Sequence, residues 1–229
     1  MKKQAFWAEL LGTYALVFFG TGAIIVDHIS AGSISHLGVA TAFGLVVTIM
    51  IYTFGSSSGA HINPAVSLSF FMEGIGIKNN RILIFYIFAQ LLGGILASAS
   101  LYFIFPNSPT MGQTNPSGTA FQSFILEFIL TFFLMLVILM VSQKETTKPY
   151  TAIAVGGTVF LEALVMGPIC GASMNPIRSI APAIFANDLQ HLWIYVIAPI
   201  AGAISAGYIW RTFQPNSQKL YKRATISSG

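Results

Sequence analysis

Only 8% of the 229 residues are Asp, Glu, Lys or Arg, where a water-soluble domain carries about a quarter. With 55% hydrophobic residues and a mean hydropathy of +0.74, the chain is read as an integral membrane protein. Cysteine is almost absent: Cys170 stands alone, which excludes an intrachain disulfide framework. No cleavable leader is expected, because the apolar run after Lys2 and Lys3 continues from Ala5 to Val26, longer than a signal core and long enough to span. No His, Cys, Asp or Glu cluster has metal-ligand spacing, so neither a metal nor a cofactor nor an enzymatic step is expected.

Long apolar runs are what the chain does have. Six are long enough to cross a bilayer, at about 5–27, 34–55, 81–105, 120–142, 149–167 and 191–213. Six crossings put both termini on one side. Lys2, Lys3, Lys78, Arg81, Lys144, Lys148, Arg211, Lys219, Lys222 and Arg223 then share that side, read as cytoplasmic by the positive-inside rule, and only Arg178 lies across from them. This asymmetry accounts for the net charge of +4 without any nucleic-acid partner. The segment 105–119, rich in Pro, Gly, Ser and Asn, reads as an exposed connection, and the polar stretch 214–229 as a cytoplasmic tail.

Between the second and third runs, and again between the fifth and sixth, stands a shorter repeated stretch. SGAHINPAVSLSF (58–70) returns 112 residues later as CGASMNPIRSIAP (170–182), with Asn63 on Asn175, Pro64 on Pro176 and Ser67 on Ser179. Asn is a strong helix cap and Pro suits the first helical position, so each copy starts a helix. A helix from Asn63 to Phe71 rises only about 13 Å, under half of a hydrocarbon core of about 30 Å. AFWAELLGTYALVFF from Ala5 also resembles AFQSFILEFILTFFL from Ala120, and a three-residue shift sets Glu9 against Glu127. Each half therefore has three spans and one broken element. Three is odd, so the second half is inverted. The expected architecture is an all-α single membrane domain: six transmembrane helices plus two re-entrant half-helices, in inverted repeats of about 1–105 and 119–213. The half-helices enter from opposite faces and meet near the midplane.

Two facing helix N-termini concentrate positive partial charge, about half an elementary charge each, and repel cations. If each Asn oxygen caps its own helix, its NH2 is left as a donor to the lumen. The plainer reading, that each Asn-Pro only caps a helix, loses ground to the inverted duplication, because non-helical backbone at membrane depth survives only when buried or lining a cavity. Arg178, on the first turn of the second half-helix, reads as a pore-mouth donor and cation barrier, against interfacial snorkelling. Glu9 and Glu127 suit carboxylates that accept from the backbone of the re-entrant loops. Glu162 has no counterpart, the repeat placing Met50 there; bracing a loop, lining the lumen and relaying protons remain open. His61 either presents a ring nitrogen to the lumen or supports the loop, while His28, His36 and His191 read as interfacial. Cys170 reads as a small packed residue or a pore-accessible thiol. Gly12, Gly20, Gly93, Gly94, Gly202 and Gly207 read as points of close helix crossing.

In these paired motifs and the trailing Arg, essentially the whole chain resembles the aquaporins, or major intrinsic proteins. The string GASMNPIRS is most similar to plant nodulin-like intrinsic proteins and their microbial relatives. The resemblance implies a right-handed six-helix hourglass, a homotetramer with one pore per subunit, a midplane built from Asn63, Pro64, Ala65, Asn175, Pro176 and Ile177, and an outer filter of Phe43, Ala163, Ala172 and Arg178. Ala163 stands where water-selective members usually have His, which implies a wider, more apolar constriction. Ser179 replaces the Asp that follows the Arg in typical glycerol facilitators. Ile177 replaces the Ala of Asn-Pro-Ala, and either narrows the centre or packs against the partner half-helix.

The expected function is passive conduction of water and small neutral solutes (glycerol, urea, or metalloid hydroxides such as arsenous or boric acid) across the cell membrane, with ions and protons excluded. A secondary transporter coupled through an intramembrane carboxylate is the alternative class, and a structural adhesion protein the third.

Overall fold

The computed structural model describes residues 3–214, which are helical throughout apart from their connections. The tail expected to be cytoplasmic lies outside the described residues except for Gln214. The helices are α1 (Lys3–Ile29), α2 (Ser35–Ser58), α3 (Pro64–Met72), α4 (Asn80–Ile104), α5 (Ala120–Ser142), α6 (Thr151–Cys170), α7 (Pro176–Ala186) and α8 (Leu192–Thr212), with a 3-10 turn, Lys148–Tyr150, leading into α6. Six are long and apolar enough to cross a membrane. The other two, α3 and α7, are the Asn-Pro stretches. Their nine and eleven residues rise about 13 and 16 Å, together roughly one hydrocarbon thickness.

Boundaries fall within a few residues of the sequence reading, and the largest differences have local causes. The helix α2 runs through Ser56, Ser57 and Ser58 to end on Gly59, whose left-handed φ of 90° forms the cap. Likewise α6 continues past Pro168 to Gly171, with φ 86°. Proline has no N–H to give Leu164 O, four residues earlier, and His36 Nε2 sits 2.7 Å from that carbonyl in its place. His36 thus repairs a helix where the sequence suggested an ordinary interfacial residue. Asn79 and Thr119 cap α4 and α5 through Ile82 N and Gln122 N.

Packing repeats itself between the halves. In the first half α1 packs on α2 and α4; in the second α5 packs on α6 and α8. Each half-helix crosses to the other half, α3 lying on α8 and α7 on α4, while α2 meets α6 along the pseudo-twofold. The tightest crossings correspond too: a β-carbon on Gly93 would fall 2.2 Å from Leu10 O, and one on Gly202 2.3 Å from Phe128 O. The sequence did not single out Gly44 and Gly156, yet their backbones meet where α2 crosses α6. Gly12, Gly20, Gly94 and Gly207 make room instead for the side chains of Ile62, Phe43, Ile177 and Glu73.

Polarity is arranged inside out. Trp7, Phe19, Leu45, Phe88, Phe133 and Leu161 are exposed, whereas Glu9, Gln90 and Glu127 are fully buried. Apolar surface on the outside costs nothing in lipid, and buried polar groups must find partners within the protein. On the basic face, Arg211 Nε reaches Glu73 Oε2 at 2.9 Å and ties the end of α3 to α8.

Candidate functional site

The site begins with two strained turns. Ala60 and Ile62 in the first loop, and Ala172 and Met174 in the second, adopt positive φ between 40° and 54°, a region costly for any residue with a β-carbon and most of all for branched Ile62. What holds them is a buried carboxylate behind each loop. Glu9 accepts from His61 N (2.9 Å) and Ile62 N (2.7 Å); Glu127 accepts from Ser173 N (2.7 Å) and Met174 N (2.8 Å). These N–H groups have no helical or strand partner, so the glutamates complete the backbone hydrogen bonding of both loops.

The support is unequal. Glu9 also receives Ser58 Oγ (2.6 Å) and Gln90 Nε2 (2.8 Å). In the second half Cys170 stands where the first has Ser58, and its thiol donates to Met166 O at 3.5 Å instead. Pro199 precedes Gly202 by three residues, as Gln90 precedes Gly93, so the amide donor is missing. Tyr86 and Tyr195 each precede those glycines by seven. The Tyr86 hydroxyl donates to Ser58 O at 2.8 Å; that of Tyr195 has no partner among the described residues.

Held this way, the loops present their asparagines to each other. Asn63 Oδ1 accepts from Ala65 N (2.9 Å) and Asn175 Oδ1 from Ile177 N (3.0 Å), each capping its own half-helix. The amides cross between the halves: Asn63 Nδ2 donates to Met174 O and Asn175 Nδ2 to Ile62 O, both at 2.8 Å. One N–H of each NH2 is thereby spent on joining the loops. The other remains for the cavity that both asparagines line.

That cavity encloses about 50 Å³. At roughly 10–15 Å³ of such volume per water, it holds a file of a few molecules. Its walls pair across the twofold: Leu16 with Leu134, Phe43 with Val155, Val47 with Val159, Val66 with Arg178, His61 with Ser173, Ile62 with Met174. The aliphatic wall from α2, α5 and α6 was not read from the sequence. Its signal is spacing by four, as in Phe43, Val47 and Ile51, or Val155 and Val159, which puts one helix face on the lumen.

Of the residues expected at the midplane, Asn63 and Asn175 line the cavity, while Pro64, Ala65, Pro176 and Ile177 are buried without being part of its wall. The Ile177 side chain turns to α4, where its Cγ2 lies against Gly94, so its extra bulk is taken up away from the lumen. Phe43, Ala172 and Arg178 come together at one end. The Arg178 guanidinium carbon stands 4.9 Å from the Phe43 ring centre, and its Nη1 donates to Gly112 O at 2.8 Å. Ala163 continues the Val155 and Val159 stripe by one further turn but is not part of the enclosed wall. His61 lines the opposite half, with Nδ1 3.1 Å from Ser67 Oγ and its ring stacked on Phe70. Glu162 is buried and its Oε2 lacks a partner among the described residues. Cys170 is fully buried. No three His, Cys, Asp or Glu residues come together as a metal site among the described residues.

Six membrane-crossing helices, two half-helices joined tip to tip and a narrow lumen through the junction define a membrane channel fold. The family model for major intrinsic proteins matches residues 1–210, and the chain belongs to that family of channels. It is 39% identical to Nodulin-26 of Glycine max, over 98% of this chain and 83% of that protein. It is 38% identical to Aquaporin NIP1-1 of Zea mays, over 95% of this chain and 77% of that one. Among solved structures it is similar to the aquaglyceroporin from Plasmodium falciparum, with a TM-score of 0.81 and 26% identity, covering 90% of this chain and 94% of that one. Members of this family are channels and not enzymes.

Proposed function

We propose that the chain is a passive conduit for water and for small uncharged solutes, of the class of glycerol, urea and metalloid hydroxides such as arsenous or boric acid, and that it excludes protons and ions. The observation that carries the reading is the chemistry of the lumen: a mostly aliphatic wall interrupted by the asparagine pair at the centre and Arg178 at one end. Such a wall slides a neutral hydroxyl-bearing solute past a few donors. The facing helix N-termini and the guanidinium both oppose a cation. Phe43, Ala163, Ala172 and Arg178 form the outer filter, and the similarity to an aquaglyceroporin favours a solute wider than water. The chain assembles as a homotetramer in the cell membrane with both termini cytoplasmic, the latter in keeping with the basic residues of that face.

Stopped-flow swelling of proteoliposomes tests this. A channel gives a shallow temperature dependence and no saturation with glycerol, and flux no greater than lipid alone would refute it. The competing class is a coupled transporter, favoured only by the unpartnered oxygen of Glu162; saturating flux that follows a proton gradient would establish it. The filter has its own test. Ala163→His adds bulk and a ring nitrogen, and is expected to cut glycerol flux about tenfold more than water flux, because size exclusion acts first on the larger solute. Unchanged flux ratios would remove Ala163 from the filter.

A further inference from the structure

His61 serves the first loop and the lumen at once. Its backbone N–H is held by Glu9, while its ring lines the half of the cavity opposite Arg178. Phe70 stacks on that ring at 4.6 Å between centroids and Tyr86 tilts against it at 5.1 Å, which fixes the plane of the ring. The two ring nitrogens have different surroundings. Nδ1 lies 3.1 Å from Ser67 Oγ, inside the protein. Nε2 has no hydrogen bond to any of the described residues and stands beside exposed Gly59, where a β-carbon would fall 3.0 Å from it.

Which nitrogen carries the proton follows from the neighbours that compete for it. Glu9 only accepts, so it fixes which end of the Gln90 amide faces it. Gln90 Nε2 then gives one proton to Glu9 Oε2 at 2.8 Å and the other to Ser67 Oγ at 2.9 Å. Ser67 accepts from Gln90 and still has its own proton to place. It is fully buried, and among the described residues the acceptor left in reach of its Oγ is His61 Nδ1. A proton on Nδ1 would strand that of the serine in a buried site, where an unmade hydrogen bond is costly. Ser67 therefore donates, Nδ1 accepts, and the ring proton is on Nε2. The second half has no counterpart: Ser173 takes the place of His61, and its hydroxyl is used up within the loop by Asn175 N, Asn175 O and Ser179 Oγ.

We propose that Ser67 is a positioning residue for solute selection: by giving its proton to His61 Nδ1 it fixes the ring as the Nε2–H tautomer, and the lumen gains a permanent donor on the side away from Arg178. The selection part of this rests on the channel reading above. Water in single file keeps its neighbours as hydrogen-bond partners, whereas a solute as wide as the lumen interrupts the file and depends on the wall. A fixed N–H beyond the asparagine pair gives the oxygen of such a solute its next partner.

Solid-state nitrogen NMR of the full chain in proteoliposomes reads the tautomer, with His61 assigned through its neighbours Ala60 and Ile62. The wild type at neutral pH is expected to show a bare, hydrogen-bonded Nδ1 and a protonated Nε2. In Ser67→Ala the Nδ1 signal is expected to move to that of an unbonded ring nitrogen, with the second tautomer appearing. A wild-type ring protonated on Nδ1 would overturn the inference, and so would a Ser67→Ala spectrum equal to that of the wild type. The wild-type spectrum decides the tautomer even where Ser67→Ala does not assemble. His61→Phe keeps the bulk of the ring and its stack on Phe70 but has no donor, and is expected to lower the ratio of glycerol to water permeability about three- to fivefold, the size of one net hydrogen bond. An unchanged ratio would remove His61 from solute selection. Wild-type flux no greater than lipid alone would instead overturn the channel reading, on which the tautomer spectrum does not depend.

Discussion

Replacing Glu9 by alanine is expected to eliminate the folded protein, and to do so more completely than the same change at Glu127. Four donors converge on Glu9: the buried His61 N, Ile62 N and Gln90 Nε2, and the half-buried Ser58 Oγ. Each donor left unsatisfied costs about 1–3 kcal/mol, so the sum is comparable to the whole stability of a typical domain, about 5–15 kcal/mol. Bilayer water is too scarce to take over the role. Glu127 holds two backbone donors, so its loss strands fewer. Glu9→Gln keeps one acceptor oxygen and is expected to fall between wild type and Glu9→Ala. Fluorescence-detected gel filtration in detergent, with thermal challenge, ranks the variants. Equal recovery of Glu9→Ala and wild type would show that the first loop keeps its strained turns without the carboxylate.

The second large effect is expected at Arg178. At about 5 Å and an effective dielectric near 20, a guanidinium repels a monovalent cation by roughly 3 kcal/mol, or about two orders of magnitude in occupancy. Arg178→Ala is accordingly expected to raise cation or proton leak through reconstituted protein by up to about a hundredfold, with the paired helix N-termini left as the remaining barrier. Valinomycin-clamped proton flux in liposomes measures it. An unchanged leak would assign exclusion to those N-termini alone. The arginine is also an anchor: its hydrogen bond to Gly112 and its position over Phe43 link the connection 105–119 to α2, so the variant loosens the lumen end as well.

The membrane class, the six crossings and the two half-helices were legible because hydropathy and run length are local properties, as are the signals that place the helix caps at Asn63 and Asn175. Glu9 and Glu127 were legible for a different reason: the repeat supplied a second copy against which each could be matched. Where the copies differ, the sequence was ambiguous. Ile177 had two readings, narrowing the centre or packing against the partner half-helix. In the structure its side chain lies against Gly94 of α4, which neither reading named. His36 looked interfacial because nothing nearby in the chain reveals that Pro168, on another helix, leaves Leu164 O without its donor. The aliphatic lumen wall was hidden by composition: on helices apolar all round, hydrophobicity does not distinguish the face toward the lumen from the face toward lipid.

What the sequence determined by itself is therefore a membrane chain made of two related halves, each broken once by an Asn-Pro helix start, with a single cationic side chain set apart from the rest. Those features depend on short-range periodicity and on repetition, which a linear string displays in full. Only the tertiary structure decided how the asparagine amides divide their protons between joining the loops and facing the lumen, and which carboxylate is fully served. These depend on contacts between residues far apart in the chain, and the direction of a hydrogen bond is settled only when every neighbour competing for the same proton is in place.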